Sequence, residues 1–204
     1  MSDSRARLIE SATDLFIGGG FNKVGVAEIC KVARVNKGTF YHFFPSKVEL
    51  LLVVLDEYTQ AVTQQFVAVG QSDAEPHAKL SGIFNVPMAR NDAWKAAHGV
   101  SSGCFVGNVI LELASTEPRV RERAERAIAV LTEALRPIIE EFLVAQRIAG
   151  RDTRVSAEIL MGLIQGAQVQ AKVRNDPSVF NLYARVAPAI ILSADAGKSA
   201  GMLH

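Results

Sequence analysis

Two groups of residues in this 204-residue chain have the types and spacing to do chemistry. The first is the run Asn36-Lys37-Gly38-Thr39, with Tyr41 and His42 close behind it. An ammonium, an amide, a hydroxyl and two polar-tipped rings on one short stretch suit recognition of a polyanion. Gly38 lets a phosphate approach the backbone closely. Lys37 either neutralises a phosphate or reads a guanine edge, and Thr39 meets a phosphate or a thymine methyl. Lys23 and Arg34 add cations nearby, and Lys47, opening a later helix, gives a second phosphate site by charge and dipole together. The second group centres on a thiol, Cys104, in the run Ser102-Gly103-Cys104. A thiol near a helix N-terminus shifts toward thiolate. Thiolate is the form that reacts with electrophiles and oxidants. Against this stands the reading of Cys104 as inert packing, because an apolar run follows it and a cysteine is most often a small buried hydrophobe.

Trp94, His98, Phe105, Asn108, Glu112 and Gln168 could line a cavity around that thiol; singly, each also reads as packing or as a satisfied core polar group. Arg119, Arg121, Arg123 and Arg126 form a basic run, but Glu122, Glu125 and Glu133 are interleaved at helix-pair spacing, which reads as a solvated face. The histidines at 42, 77, 98 and 204 are scattered and neither Cys30 nor Cys104 lies in a C-x-x-C pair, so no metal site is expected. No phosphate-binding glycine loop, metal-ligand spacing or nucleophile motif is present, so no catalytic residue and no cofactor is expected.

These residues need elements to position them. Hydrophobic residues make up 49% of the chain and charged residues 21%, which excludes a disordered polypeptide. Residues 1–47 carry seven lysines and arginines against four acids, and the remainder carries fifteen against seventeen, so a small basic head sits on a mildly acidic body. The N-terminal Met-Ser-Asp-Ser-Arg-Ala-Arg has no apolar stretch behind it, which argues against a signal peptide. No apolar run approaches ~18 residues, so a soluble, cytoplasmic chain without a membrane partner is expected. The periodicity is helical almost throughout and predicts an all-α fold of about nine helices. Short helices over about 5–17, 26–33 and 37–43 are followed by one starting at Lys47, and a polar linker over 70–76 precedes a helix over about 77–97. A short apolar helix over 104–114, a long one opened by Pro118, one ending near Arg174 and a last one starting near Pro177 complete the body. Two short helices joined by the turn Arg34-Val35-Asn36 are the spacing of a helix-turn-helix. The domains expected are therefore a helix-turn-helix DNA-binding domain over 1–47, a helical ligand-binding and dimerisation domain over 48–195, and a disordered tail over 196–204.

The head carries a longer ordered string: Gly20-Phe21, Val26-Ala27-Glu28-Ile29, then Val35-Asn36-Lys37-Gly38-Thr39-Phe40-Tyr41-His42-Phe43-Phe44-Pro45-Ser46-Lys47. Over about residues 5–52 this resembles the DNA-binding domain of TetR-family transcriptional regulators. The resemblance implies an all-helical homodimer that places its third helices in the major grooves of palindromic double-stranded operator DNA. It also implies a body that holds an inducer site and the dimer interface. There are two departures from the family pattern. Val24 and Gly25 occupy the place where the family often has a capping Thr or Ser, and Arg34 stands where a turn glycine is common. The body pattern around Ser102-Gly103-Cys104 and Ala171-Lys172 resembles an electrophile- and oxidant-responsive, NemR-like subgroup, which implies Cys104 as sensor thiol and Lys172 as its partner amine.

The function expected is a DNA-binding regulator, a repressor, released from its operator by a small-molecule inducer or by modification of a thiol. The alternatives are a helical dimeric interaction protein and a small all-α enzyme. A homodimer through the last two helices is expected from their wide apolar stripes.

Overall fold

The computed structural model describes residues 2–148 and 150–193; the tail expected over 196–204 lies outside them. Among the described residues there is no β-strand. The helices are α1 (Ser2–Gly19), α2 (Val26–Ala33), α3 (Lys37–Phe43), α4 (Lys47–Gly70), α5 (Pro76–Gly82), α6 (Asn85–His98), α7 (Phe105–Leu113), α8 (Pro118–Ala145), α9 (Thr153–Arg174) and α10 (Phe180–Ser193), with a 3-10 turn at Pro177–Val179. The chain is all-α, as its periodicity predicts. No described helix is long and apolar enough to cross a membrane.

The single helix expected over 77–97 is two. Gly82 ends α5, and Pro87 stands in the first turn of α6. A proline is tolerated there because the first amides of a helix have no intrahelical acceptor. The break lets Leu80, Ile83 and Phe84 all become fully buried.

The described residues fall into two compact units, one within Met1–Ala61 and Phe105–Ile128, the other within Val62–Cys104 and Ala129–His204. The first unit therefore continues past residue 47 into α4 and takes in α7 and the start of α8. Its core holds Leu8, Phe16, Ile29, Phe40, Leu51, Leu55, Phe105 and Val109. Arg119 meets Glu49 at 2.5 Å, and Arg123 also pairs with Asp56, so two of the α8 arginines reach across to α4 acids. Spacing along α8 alone suggests partners within that helix. The second unit is built on Phe66, Phe84, Leu135, Phe142, Leu160, Ile164 and Phe180. Truncating one such buried phenylalanine to alanine costs about 3–5 kcal/mol. Lys79, buried, meets the Glu141 carboxylate at 2.9 Å in this unit, so its charge does not stand alone in the core.

The residues capping the ends of α2 and α9 are non-glycine residues in the left-handed region, as is Arg147 (φ +60°) just past α8. α2 ends with Arg34, at φ +54°. The Arg34 amide donates to Lys31 O at 3.3 Å and the Val35 amide to Cys30 O at 3.0 Å, which satisfies carbonyls the helix leaves open. A non-glycine residue held there costs on the order of 1–3 kcal/mol, supplied by the surrounding packing. α9 ends the same way at Asn175, φ +49°, a residue type that tolerates this region.

Candidate functional site

The first turn of α3 is built by Asn36. Its extended backbone (φ −85°, ψ 163°) places it at the N-cap. Its Oδ1 accepts the Thr39 amide at 2.8 Å and the Thr39 hydroxyl at 3.1 Å. A Cβ on Gly38 would lie 3.2 Å from the same oxygen, so a side chain at 38 would press on the cap. Below this turn Phe40 is fully buried, packed edge-on against Tyr41 and tilted against Phe44. Above it Lys37, Gly38, Tyr41 and His42 are exposed. A hollow of about 530 Å³ is lined by Ser4, Asn36, Gly38, Thr39, His42 and Phe43. Ser4 had no signal in the sequence; folding brings the start of α1 beside α3. Arg34 and Lys23 are both exposed. This is a buried aromatic base carrying a polar, cation-bearing turn, which is what reading base edges and phosphates requires.

Lys47 is placed differently from the other cations. Its Nζ donates to Phe21 O at 2.8 Å and to Val24 O at 2.9 Å, and lies 4.0 Å above the Phe21 ring. Burial pushes the Lys47 ammonium below the ordinary lysine value, with the Glu112 charge opposing that shift. Glu112, expected in a ligand cavity, accepts the Phe21 amide at 2.9 Å and the Asn22 amide at 2.6 Å. Phe105 packs its ring 5.2 Å from that of Tyr58. Phe105, Asn108 and Glu112 all belong to the first unit.

Cys104, Lys172, Trp94, His98 and Gln168 belong to the second unit. Cys104 is 8% exposed and directly precedes α7. Gly103 before it has φ +69°, and a Cβ there would lie 3.0 Å from Lys172 Cδ and 3.6 Å from the Gln168 carbonyl oxygen. The loop carrying the thiol thus runs along the last turns of α9, under the Lys172 stem. Gln168 is buried, and Lys172 as a residue is exposed. Trp94 and His98 stack one turn apart on α6 at 3.8 Å, with His98 exposed. Cys30 is buried in α2, and burial pushes its thiol up from the ordinary value.

Three residues that sequence reasoning missed hold this loop. Asn91, 1% exposed, accepts the Ser101 hydroxyl at 2.6 Å and the Gly103 amide at 2.8 Å, and donates to Pro87 O at 2.9 Å. Asn175 accepts the Ser101 amide at 2.8 Å and donates to Gly99 O at 3.0 Å. Lys95 Nζ in turn donates to Asn175 O at 2.5 Å. Asn175-Asp176-Pro177 was readable as a turn signal; Asn91, inside a helix, carried none.

The head and the body each match a family model. Residues 8–54 match that of the bacterial regulatory proteins of the tetR family, and residues 87–187 match the tetracyclin repressor-like C-terminal domain. The chain belongs to the TetR family. Among its relatives, the TetR-family chain is 30% identical over 186 residues to the transcriptional regulator AcuR of Cereibacter sphaeroides, spanning 87% of this chain and 80% of that one. It is 26% identical over 176 residues to the transcriptional repressor NemR of Escherichia coli, spanning 84% and 85%. Solved structures share the fold: a TetR regulatory protein from Rhodobacter sphaeroides at TM-score 0.77 and 24% identity, over 91% of this chain and 97% of that one. Reduced NemR aligns at TM-score 0.76 and 21% identity, over 91% and 95%. The TetR-family assignment makes the protein a DNA-binding transcription regulator with a helix-turn-helix head, within a family of regulators rather than enzymes.

Proposed function

We propose that this TetR-family chain is a homodimeric repressor that leaves a palindromic operator when Cys104 is modified or when an apolar inducer binds the body. The observation that carries the DNA half is the exposed first turn of α3, where Asn36 caps the helix and leaves Lys37, Gly38, Tyr41 and His42 open to solvent. Lys23 and Arg34 add phosphate contacts beside it. Lys47 contributes from beneath, by fixing the loop that carries Lys23. The dimer half rests on α9 and α10, which leave Val169, Val173, Leu182 and Val186 exposed on the single chain. Two heads must then be held about 34–36 Å apart to meet successive major grooves.

The Lys172 stem lying against Gly103, next to Cys104, favours the thiol as trigger. NemR, one of the relatives, is named a repressor. Burial of Cys104 to 8% favours the second reading, a reversible ligand of mostly apolar character with Trp94, His98 and Gln168 of the second unit among its candidate contacts. Either trigger works only by preferring the DNA-incompetent state, and a preference of about 1–3 kcal/mol gives roughly 5–150-fold release. The test is retardation of an operator duplex with and without N-ethylmaleimide. Release of the wild type but not of Cys104→Ser supports the thiol. An unmodified Cys104 on a chain that stays bound leaves the apolar inducer.

A further inference from the structure

The loop between α1 and α2 is gripped from two sides by residues far from it in sequence. Glu112 on α7 accepts the amides of Phe21 and Asn22, at 2.9 and 2.6 Å, with one carboxylate oxygen each. Lys47 at the start of α4 donates to the carbonyls of Phe21 and Val24 and covers the Phe21 ring. Gly20 makes the first grip possible: its φ is +80°, and a Cβ on it would lie 3.1 Å from Glu112 Oε2. The loop so held presents the exposed Lys23 and leads into α2 through Gly25, an N-cap without a side-chain bond. Local contacts hold only its start, where the Gly20 amide donates to Phe16 O at 3.0 Å and the Phe21 ring packs 5.5 Å from that of Phe16. The amides of Phe21 and Asn22 and the carbonyls of Phe21 and Val24 are satisfied from a distance, by one acid and one base.

We infer that Glu112 is a positioning residue for operator binding: it sets the loop over 20–24, and through it Lys23 and the start of α2, in the arrangement that meets DNA. This rests on the reading of the head as the DNA-binding surface. It assigns Glu112 a role distinct from the inducer contact that the sequence suggested. A carboxylate is required there because both accepted donors are backbone amides, and two acceptors on one carbon meet two successive N–H groups. Glutamine offers one such acceptor and alanine none.

The experiment uses the full chain and the duplex that the wild type enriches from a random-sequence pool. Glu112→Ala and Glu112→Gln are compared with Phe142→Leu, which lowers stability from within the second unit and leaves the loop untouched. Amide exchange at Phe21 and Asn22 reports the grip independently of DNA. The expected result for Glu112→Ala is about 10- to 100-fold weaker duplex binding than the wild type. Glu112→Gln falls between, Phe142→Leu at matched stability changes affinity little, and exchange accelerates at Phe21 and Asn22 but not across α9. If Glu112→Ala does not fold, Glu112→Gln carries the same comparison. Unchanged exchange at the two amides overturns the grip. Accelerated exchange with unchanged affinity overturns the positioning role. Losses no larger than those of Phe142→Leu reduce Glu112 to a stability residue and overturn it as well. A wild type that enriches no duplex overturns instead the DNA-binding reading, and Lys23→Ala, expected to weaken binding, checks that reading separately.

Discussion

A Cβ added to Gly103 would stand 3.0 Å from Cδ of Lys172 and 3.4 Å from its Cβ. The backbone one residue before the Cys104 thiol is therefore roofed by the side chain of the amine that the subgroup resemblance implies as its partner. Lys172 and the thiol loop are brought side by side by Asn175, which follows Lys172 by three residues and bonds both Ser101 and Gly99.

Gly103→Ala tests that relationship. The residue has φ +69°, where an alanine is strained, and its methyl would push Lys172 aside. We expect a loss of about 1–3 kcal/mol from the backbone strain alone, read as a lower urea midpoint. An unchanged midpoint would mean that the loop is loose and the close approach without consequence.

Thiol labelling separates the two cysteines. Cys30 is buried and its thiol is held above its ordinary pKa by that burial, so it stays protonated at neutral pH and unlabelled in the native chain. Cys104 is expected to label, and Lys172→Ala to slow it, because removing an ammonium disfavours the thiolate. Mass spectrometry of the native chain after brief N-ethylmaleimide treatment decides. Labelling at Cys30 first, or at neither site without denaturant, would contradict this.

Lys37 should act through phosphate. Lys37→Ala should weaken duplex binding and reduce the slope of log K against log salt by about 1. A changed base preference at unchanged salt slope would show instead that Lys37 reads a base edge. Affinity and slope both unchanged would remove it from the interface.

Acid should loosen the start of α9. Asp152 caps that helix, and its hydrogen bonds from the Arg154 side chain and amide hold its carboxyl at about 2, against 3.8 for an ordinary aspartate. The unfolded chain then binds the extra proton between those values, so this contribution is present above about pH 4 and is lost as pH falls toward 2. Asp152→Asn keeps an acceptor for the amide but loses the charge. Its stability should therefore vary less over that window than the wild type's, as measured by denaturant midpoints at pH 2–5. Parallel curves would show that the cap carries no charge-dependent stability.

The sequence was most legible where the determinants are local. The string from Val35 to Lys47 contains its own cap, its own buried ring at Phe40 and its own stop at Pro45, so the helix-turn-helix could be read from spacing. The helical body was legible from periodicity, except over 77–97, read as one helix, where Gly82 and Pro87 signalled a break. What spacing cannot show is long-range pairing. Glu112 meets a loop some 90 positions earlier in the chain. Lys47 turns inward because carbonyls and a ring are within its reach. Asn91 and Asn175 become loop anchors only once α6 and α9 are packed. Arg119 and Arg123 obey the same rule: the acids that face them belong to α4, which a helical wheel of α8 does not contain.

Recognition of a palindromic operator by a pair of chains is tested most directly by selecting duplexes from a random-sequence pool with the full-length wild type. The expected result is enrichment of a palindrome whose half-sites are about one helical turn apart, bound by two chains. The selected duplex should bind Lys37→Ala and Tyr41→Ala more weakly than the wild type. A pool that stays random at low salt, or an enriched site bound by one chain with no two-fold symmetry, would contradict it.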